Sequence, residues 1–234
     1  MTNISMASTP LDIFNAAHKR ADIFLNERSP KKKKFDDLRA AVIFEVAAID
    51  AYFKVKVINV LRGQIKGRGF VIPESVRNLA KEAAASSGYN GKGYKQLKKE
   101  EKRLVDLACS SNESEIVDYV QAAFNKLSFQ SISSIDTALA MMGKKPSEIW
   151  PKIATQRKLK SKKDNLRTKA GRKIQATVQL KALFSRRHRI VHEADIVLWG
   201  KKKQGQQRQI VIEDVRKWLK SSNETIRAIN RLVP

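Results

Sequence analysis

Two of the chain's three histidines stand four residues apart among arginines, in Phe184-Ser-Arg-Arg-His-Arg-Ile-Val-His-Glu-Ala-Asp195. Histidine exchanges a proton near neutral pH, and arginine is a permanent cation with a fork suited to phosphate. Those are the parts needed to cut RNA without a metal: a base for the 2′-hydroxyl, a proton donor for the leaving oxygen and a cation on the phosphorane. His192 is the candidate general base or acid and Arg187 the charge stabiliser. A phosphate-contacting helix, two metal ligands or a plain surface feature are other uses of the same His188 and His192 spacing.

The segment reads as a helix. Leu180, Leu183, Arg187, Ile190 and Ala194 recur at steps of three and four, the spacing of one helical face. Arg187 then falls on an apolar face, where burial costs several kcal/mol unless an anion compensates. Residues five apart on an unbroken helix are about 140° apart, so Arg187 and His192 would not share a face, whereas His188 and His192 would. A long arginine reaching around, a helix distorted at the motif, or different pairs from two chains would each resolve this.

With 47 basic and 23 acidic residues the net charge is +24, and the isoelectric point is near 10.2. That balance belongs to a polyanion binder, with nucleic acid or an acidic partner as counter-charge. No apolar run approaches the roughly 20 residues that span a bilayer, and the N-terminus lacks the pattern of a signal peptide. The single cysteine, Cys109, leaves no intramolecular disulfide and fits a reducing cytoplasm. With so few cysteines and histidines, neither a structural metal site nor a cofactor is expected.

The elements that must position the segment are helical almost throughout, and a chain of 234 residues is read as a single domain with a large insertion. Thr9-Pro10 with Asp12 predicts a helix start, continuing to about Glu27. Ser29-Pro30 and Lys31 to Lys34 predict a linker. The next helix is predicted from Phe35 to Arg62, ended by Gly63, with an apolar stripe of Phe35, Leu38, Val42, Val46, Ile49, Phe53, Val57 and Val60. Glu45 and Asp50 flank that stripe at about 70° on either side; both can stay solvated there, or either could turn inward to meet Arg187. From 63 to about 160 the chain reads as a mostly helical insertion, with helices near 74–85, 94–108, 113–127 and 131–142. Its glycine-rich loops match no nucleotide-binding motif. A final helix starts near Glu213, with Val211, Val215, Trp218, Leu219, Ser222, Ile226 and Ile229 on its apolar stripe.

Basic residues cluster on both sides of the Arg/His segment. Arg157 to Lys173 holds nine basic residues against Asp164 alone, which reads as a solvated face or as an arm that tracks a phosphate backbone. Lys162, Lys163, Arg167, Arg172 and Lys173 are its candidate substrate contacts, joined by Arg186 and Arg189. Lys201, Lys202 and Lys203 form a second basic patch close to His192.

Arg187-His-Arg-Ile-Val-His192 resembles the R-x(4–6)-H signature of HEPN domains. The following Glu-Ala-Asp, glycine turn, apolar run and Glu213-Asp-Val-Arg-Lys-Trp-Leu219 resemble the RiboL-PSP-HEPN branch, and Ala48-Ile-Asp-Ala-Tyr-Phe53 is similar to that branch's acidic-aromatic helix. The resemblance covers about 36–62 and 174–232. It implies an all-α, HEPN-like antiparallel helical bundle that dimerises, and a metal-independent endoribonuclease of toxin or anti-phage systems. By that resemblance Asp50 orients Arg187 or polarises the histidine, and RNA is cut to a 2′,3′-cyclic phosphate and a 5′-hydroxyl. One histidine and one arginine leave a catalytic role unfilled. Either a homodimer faces two motifs across one composite active site, as in that family, or His188 acts as the second proton-transfer group. An acidic antitoxin or defence-system partner can coexist with this activity. The competing expectation is a non-catalytic helical RNA- or DNA-binding module.

Overall fold

Thr9 caps the first helix as its sequence predicts. In the computed structural model, which describes residues 9–26, 35–65, 128–157, 168–192 and 209–234, the Asp12 amide donates to Thr9 Oγ1 (3.2 Å). The Thr9 amide donates back to Asp12 Oδ2 at 3.0 Å. This reciprocal pair satisfies amides that the first turn leaves open. Pro10 follows as the first helical residue, where its missing N–H costs nothing.

Every regular element among the described residues is an α-helix: α1 (Pro10–Asn26), α2 (Phe35–Ile65), α3 (Ile132–Met141), α4 (Pro146–Gln156), α5 (Lys169–His192) and α6 (Ile212–Leu232). α2 runs through Gly63 to Ile65 instead of ending at the glycine, since one helical glycine costs only about 1 kcal/mol relative to alanine. The helices expected near 74–85, 94–108 and 113–127, the lysine linker and the segment 193–208 lie outside the described residues, as does most of the expected insertion.

The chain divides into two compact units, with one division inside α2 after Tyr52. In the first unit, α1 and α5 each pack against α6. α6 buries Val215, Leu219, Ser222, Ile226 and Ile229 of its expected stripe, whereas Val211 is exposed and Trp218 half-buried. α1 contributes Phe14, His18, Ala21 and Leu25 at the same spacing. α2 buries a wider band than its predicted stripe. A second row, Leu38, Ala41, Glu45, Ala48 and Tyr52, is buried as fully as the first, while Phe35 stays 53% exposed. Phe14 stacks on His18 with ring centres 5.3 Å apart and meets Tyr52 edge-on at 6.2 Å. Burial pushes the Tyr52 phenol well above its ordinary pKa, so it stays a neutral donor, 3.4 Å from Asn230 Oδ1.

α4 has no counterpart in the sequence reading. Pro146 occupies its first position and Glu148 its first turn, but Pro151 lies inside it, where proline ordinarily removes a hydrogen bond and breaks a helix. Burial of Ile149, Trp150, Ile153 and Ala154 on one side offsets that loss; each large side chain contributes about 1.5–3 kcal/mol.

Just past α4, Arg157 opens the stretch expected to be a solvated basic arm, yet its side chain is only 7% exposed. It donates from Nε to Glu224 Oε2 at 3.1 Å, from Nη1 to Thr225 Oγ1 at 3.0 Å and from Nη2 to Ser221 Oγ at 2.9 Å. The guanidinium reaches three acceptors of α6 from three separate nitrogens, whereas the three donors of a lysine sit on one. Arg157→Lys is therefore expected to destabilise the first unit by about 1–3 kcal/mol, measured as a fall in the urea midpoint; an unchanged midpoint would show the contacts to be idle.

In the second unit, Phe53 of α2 meets Phe129 with ring centres 5.9 Å apart, and Ile135, Leu139, Met141 and Met142 are buried. α3 ends at Gly143, whose φ is 71°. The Gly143 amide donates to Ala140 O and the Lys144 amide to Leu139 O, both at 2.9 Å. This double closure places the residue at 143 in the left-handed region that glycine adopts without a Cβ penalty.

Candidate functional site

Thr168 caps α5, accepting from the Gly171 amide at 3.0 Å, and the helix runs unbroken through its last residue, His192. Continuity leaves Arg187 and His192 about 140° apart around the axis, so no distortion at the motif brings them together. His188 and His192 do come together: both are exposed, with ring centres 4.6 Å apart and planes tilted by 42°. They stand in the last turns of the helix.

Arg187 is not a core residue. The buried face of α5 holds Ala176, Leu180, Leu183 and Phe184, and burial fades beyond it, leaving Arg187 and Ile190 half-buried. The buried arginine is its neighbour Arg186, 9% exposed. Arg186 and Arg189 line a cleft of about 340 Å³ whose other wall is the approach to α6, including Gln209, Asp214 and Trp218. Arg172 and Lys173 are half-buried on the first turns of α5, and Asp50 is half-buried on α2. Lys162, Lys163, Arg167, Lys201, Lys202 and Lys203 lie outside the described residues.

Glu45 turns inward, but not towards Arg187. Its side chain is 0% exposed and its two oxygens are taken by other helices: Oε2 lies 2.6 Å from His18 Nδ1, and Oε1 accepts from the Ser222 hydroxyl. Asn223 Nδ2 lies 3.2 Å from His18 Nε2, Asp22 Oδ2 lies 3.6 Å from the same nitrogen, and Arg227 Nε donates to Asn223 Oδ1 at 2.7 Å. Three helices thus meet through one buried carboxylate. The signal for this cluster was present in the sequence but unused. His18, Glu45 and Ser222 each interrupt an otherwise apolar row on their own helix, and a polar residue at such a position needs a buried partner.

The ring of His18 responds to this setting. Burial opposes its charge and Arg227 adds to that, but the hydrogen bond and charge of Glu45, with the charge of Asp22, outweigh both and raise its pKa above the ordinary 6.5. The folded state therefore holds this proton to higher pH than the unfolded chain. The stabilisation is complete below pH 6.5 and is lost as pH rises through the raised folded value. Urea midpoints measured across that range are expected to fall with rising pH in the wild type, and the His18 contribution to the slope to vanish in His18→Gln; identical slopes would contradict the assignment.

Chemically, the Ser222 hydroxyl is fully buried and bonded to a carboxylate instead of to the histidine, so the cluster is a packing device and not a nucleophile–base pair. Among the described residues no group of three or more His, Cys, Asp or Glu side chains is arranged to hold a metal ion, and no helix is long and apolar enough to cross a membrane. Among the described residues the exposed imidazoles are those of His188 and His192, with Arg187 and Arg189 beside them in sequence. No protein-family model, curated protein or solved structure matches the chain.

Proposed function

We propose that the chain is a metal-independent endoribonuclease of the HEPN kind, acting as a toxin or anti-phage effector, with His188 and His192 as its proton-transfer pair. The observation that carries this reading is the exposed pair of imidazoles with ring centres 4.6 Å apart, on a chain of net charge +24. One imidazole takes the proton of the 2′-hydroxyl as its oxygen attacks phosphorus; the other gives a proton to the departing 5′-oxygen. The P–O5′ bond breaks, leaving a 2′,3′-cyclic phosphate and a 5′-hydroxyl. Arginine neutralises the phosphorane. Because Arg187 and His192 of one helix face apart, a second copy of the chain is the natural source of the arginine, which supports a homodimer with a composite site and an antiparallel bundle around it. Asp50 is the carboxylate that would orient Arg187. The excess positive charge also suits an acidic antitoxin or defence partner, and a cytoplasmic setting.

The same angular separation favours a second reading, a helical nucleic-acid-binding module whose histidines only contact phosphate. Incubation with total RNA in EDTA separates the two. Cyclic phosphate ends that disappear with His192→Ala support cleavage. Equal cutting by both proteins, or binding with no cutting even when the partner is supplied, supports the module instead.

A further inference from the structure

A pair of neighbouring imidazoles can meet a metal ion as well as a proton, because the lone pair of a neutral ring serves both. Two imidazoles on one zinc, each nitrogen about 2.0–2.1 Å from the metal and the two bonds roughly 90–110° apart, keep their ring centres about 4.5–5.2 Å apart. The rings of His188 and His192 stand 4.6 Å apart with planes tilted by 42°, inside that range. Both are exposed, on successive turns of an unbroken helix, so the backbone holds the spacing and no other element need move to admit an ion.

The surrounding charge selects the kind of cation. Arg187 and Arg189 lie beside the pair in sequence and the chain carries +24, so a hard ion such as Mg2+ or Ca2+, which relies on carboxylate and carbonyl oxygens, is repelled and gains nothing from imidazole. Copper and zinc accept the imidazole lone pair directly and depend less on local negative charge. With two protein ligands, water completes the coordination, and such an ion is exchangeable instead of structural.

We propose that His188 and His192 form an exchangeable two-imidazole site for Cu2+ or Zn2+, and that an ion bound there switches off the proton-transfer pair. The metal occupies the lone pair that one ring needs in order to accept a proton, and that the other must already have filled with a proton in order to donate it. The switch rests on the ribonuclease reading; the binding does not.

The test titrates the full-length protein with ZnCl2 in a calorimeter, in a Cys109→Ser background so that the one thiol of the chain cannot take the metal. Saturable binding is expected, with no heat from MgCl2. His188→Ala and His192→Ala should each weaken zinc by about tenfold or more, since losing even an outer partner of a ligand costs about 10–100-fold. Exchanging positions 187 and 188 (Arg187→His with His188→Arg) keeps the composition but sets the histidines five apart, about 140° round the helix, and should weaken zinc as much as His188→Ala. Electron paramagnetic resonance of the Cu2+ form is expected to show two imidazole nitrogens on the metal, and one in either alanine variant. Unchanged zinc affinity in an alanine variant or in the exchanged one overturns the site. For the switch, RNA cleavage in EDTA is compared with cleavage in ZnCl2 at about ten times the measured dissociation constant, where about a tenfold loss, reversed by EDTA, is expected. Binding with undiminished cleavage overturns the switch. Binding through both histidines with no cleavage in EDTA supports the site and refutes the ribonuclease reading, and the switch with it.

Discussion

Replacing Glu45 with alanine is expected to lower the free energy of unfolding by about 3–5 kcal/mol, the largest loss from any single substitution considered. The carboxylate is fully buried and joins α1 to α6 through His18 and Ser222. Its removal takes the nearest counter-charge from a buried imidazole and leaves the Ser222 hydroxyl only the Leu219 carbonyl as acceptor, and the imidazole can relieve part of the cost only by giving up its proton. Glu45→Gln keeps the length and an acceptor for one partner, so the loss should be smaller, about 1–3 kcal/mol. The informative comparison is the triple variant Glu45→Met, His18→Phe, Ser222→Ala. Apolar replacement of a whole buried polar group is often neutral or stabilising, so the triple variant should recover most of the stability lost by Glu45→Ala. Urea unfolding at pH 6 measures all three; a triple variant no more stable than Glu45→Ala would show that the cluster contributes through packing that the substitutes cannot reproduce.

On the proposed ribonuclease reading, replacing His192 with alanine is expected to reduce RNA cleavage by about 10²–10⁴-fold, the range for loss of a general acid or base. His188→Ala should cost a similar amount. The double variant should be little worse than either alone, because two groups that serve one proton-transfer step are not additive. Both rings are exposed, so unfolding midpoints should stay within about 0.5 kcal/mol of wild type, and lost cutting then reports chemistry instead of folding. Rate constants at saturating RNA, with end-group analysis of the products, make the measurement. Full activity in His188→Ala with none in His192→Ala would assign the second role to the partner chain of a dimer.

The two predictions concern different histidines, and only one kind was visible in the sequence. His188 and His192 drew notice because local spacing puts them among arginines on one helix, and four-residue spacing is enough to make their rings neighbours. His18 drew none. It stands in Phe14, His18, Ala21, Leu25 like any core residue, and its partners are 27 residues away at Glu45 and 205 residues away at Asn223. The single apolar stripe of α2 puts Glu45 on its flank; the second row, with alanines at 41 and 48, gives a weak local signal because alanine is common on exposed and buried faces alike. α4 was missed for a related reason, since Pro151 is a local signal against helix and the burial of Trp150 that overrides it is not local.

Local pattern was enough for the helical class of the described residues, the start of α1 at Thr9 and Pro10, the course of α2, α3 and α6, and the proximity of His188 to His192, all of which depend on contacts within about a turn or two of helix. Which charges are buried was settled by packing between helices. Arg187 was expected inside and is half-buried, Arg157 was expected in solvent and is bonded to α6, and Glu45 faces a histidine instead of an arginine. The reason is that helical periodicity fixes which side chains share a face, whereas the depth of that face depends on which other helix lies against it. Charge burial is settled by partners far along the chain, and no local pattern names them.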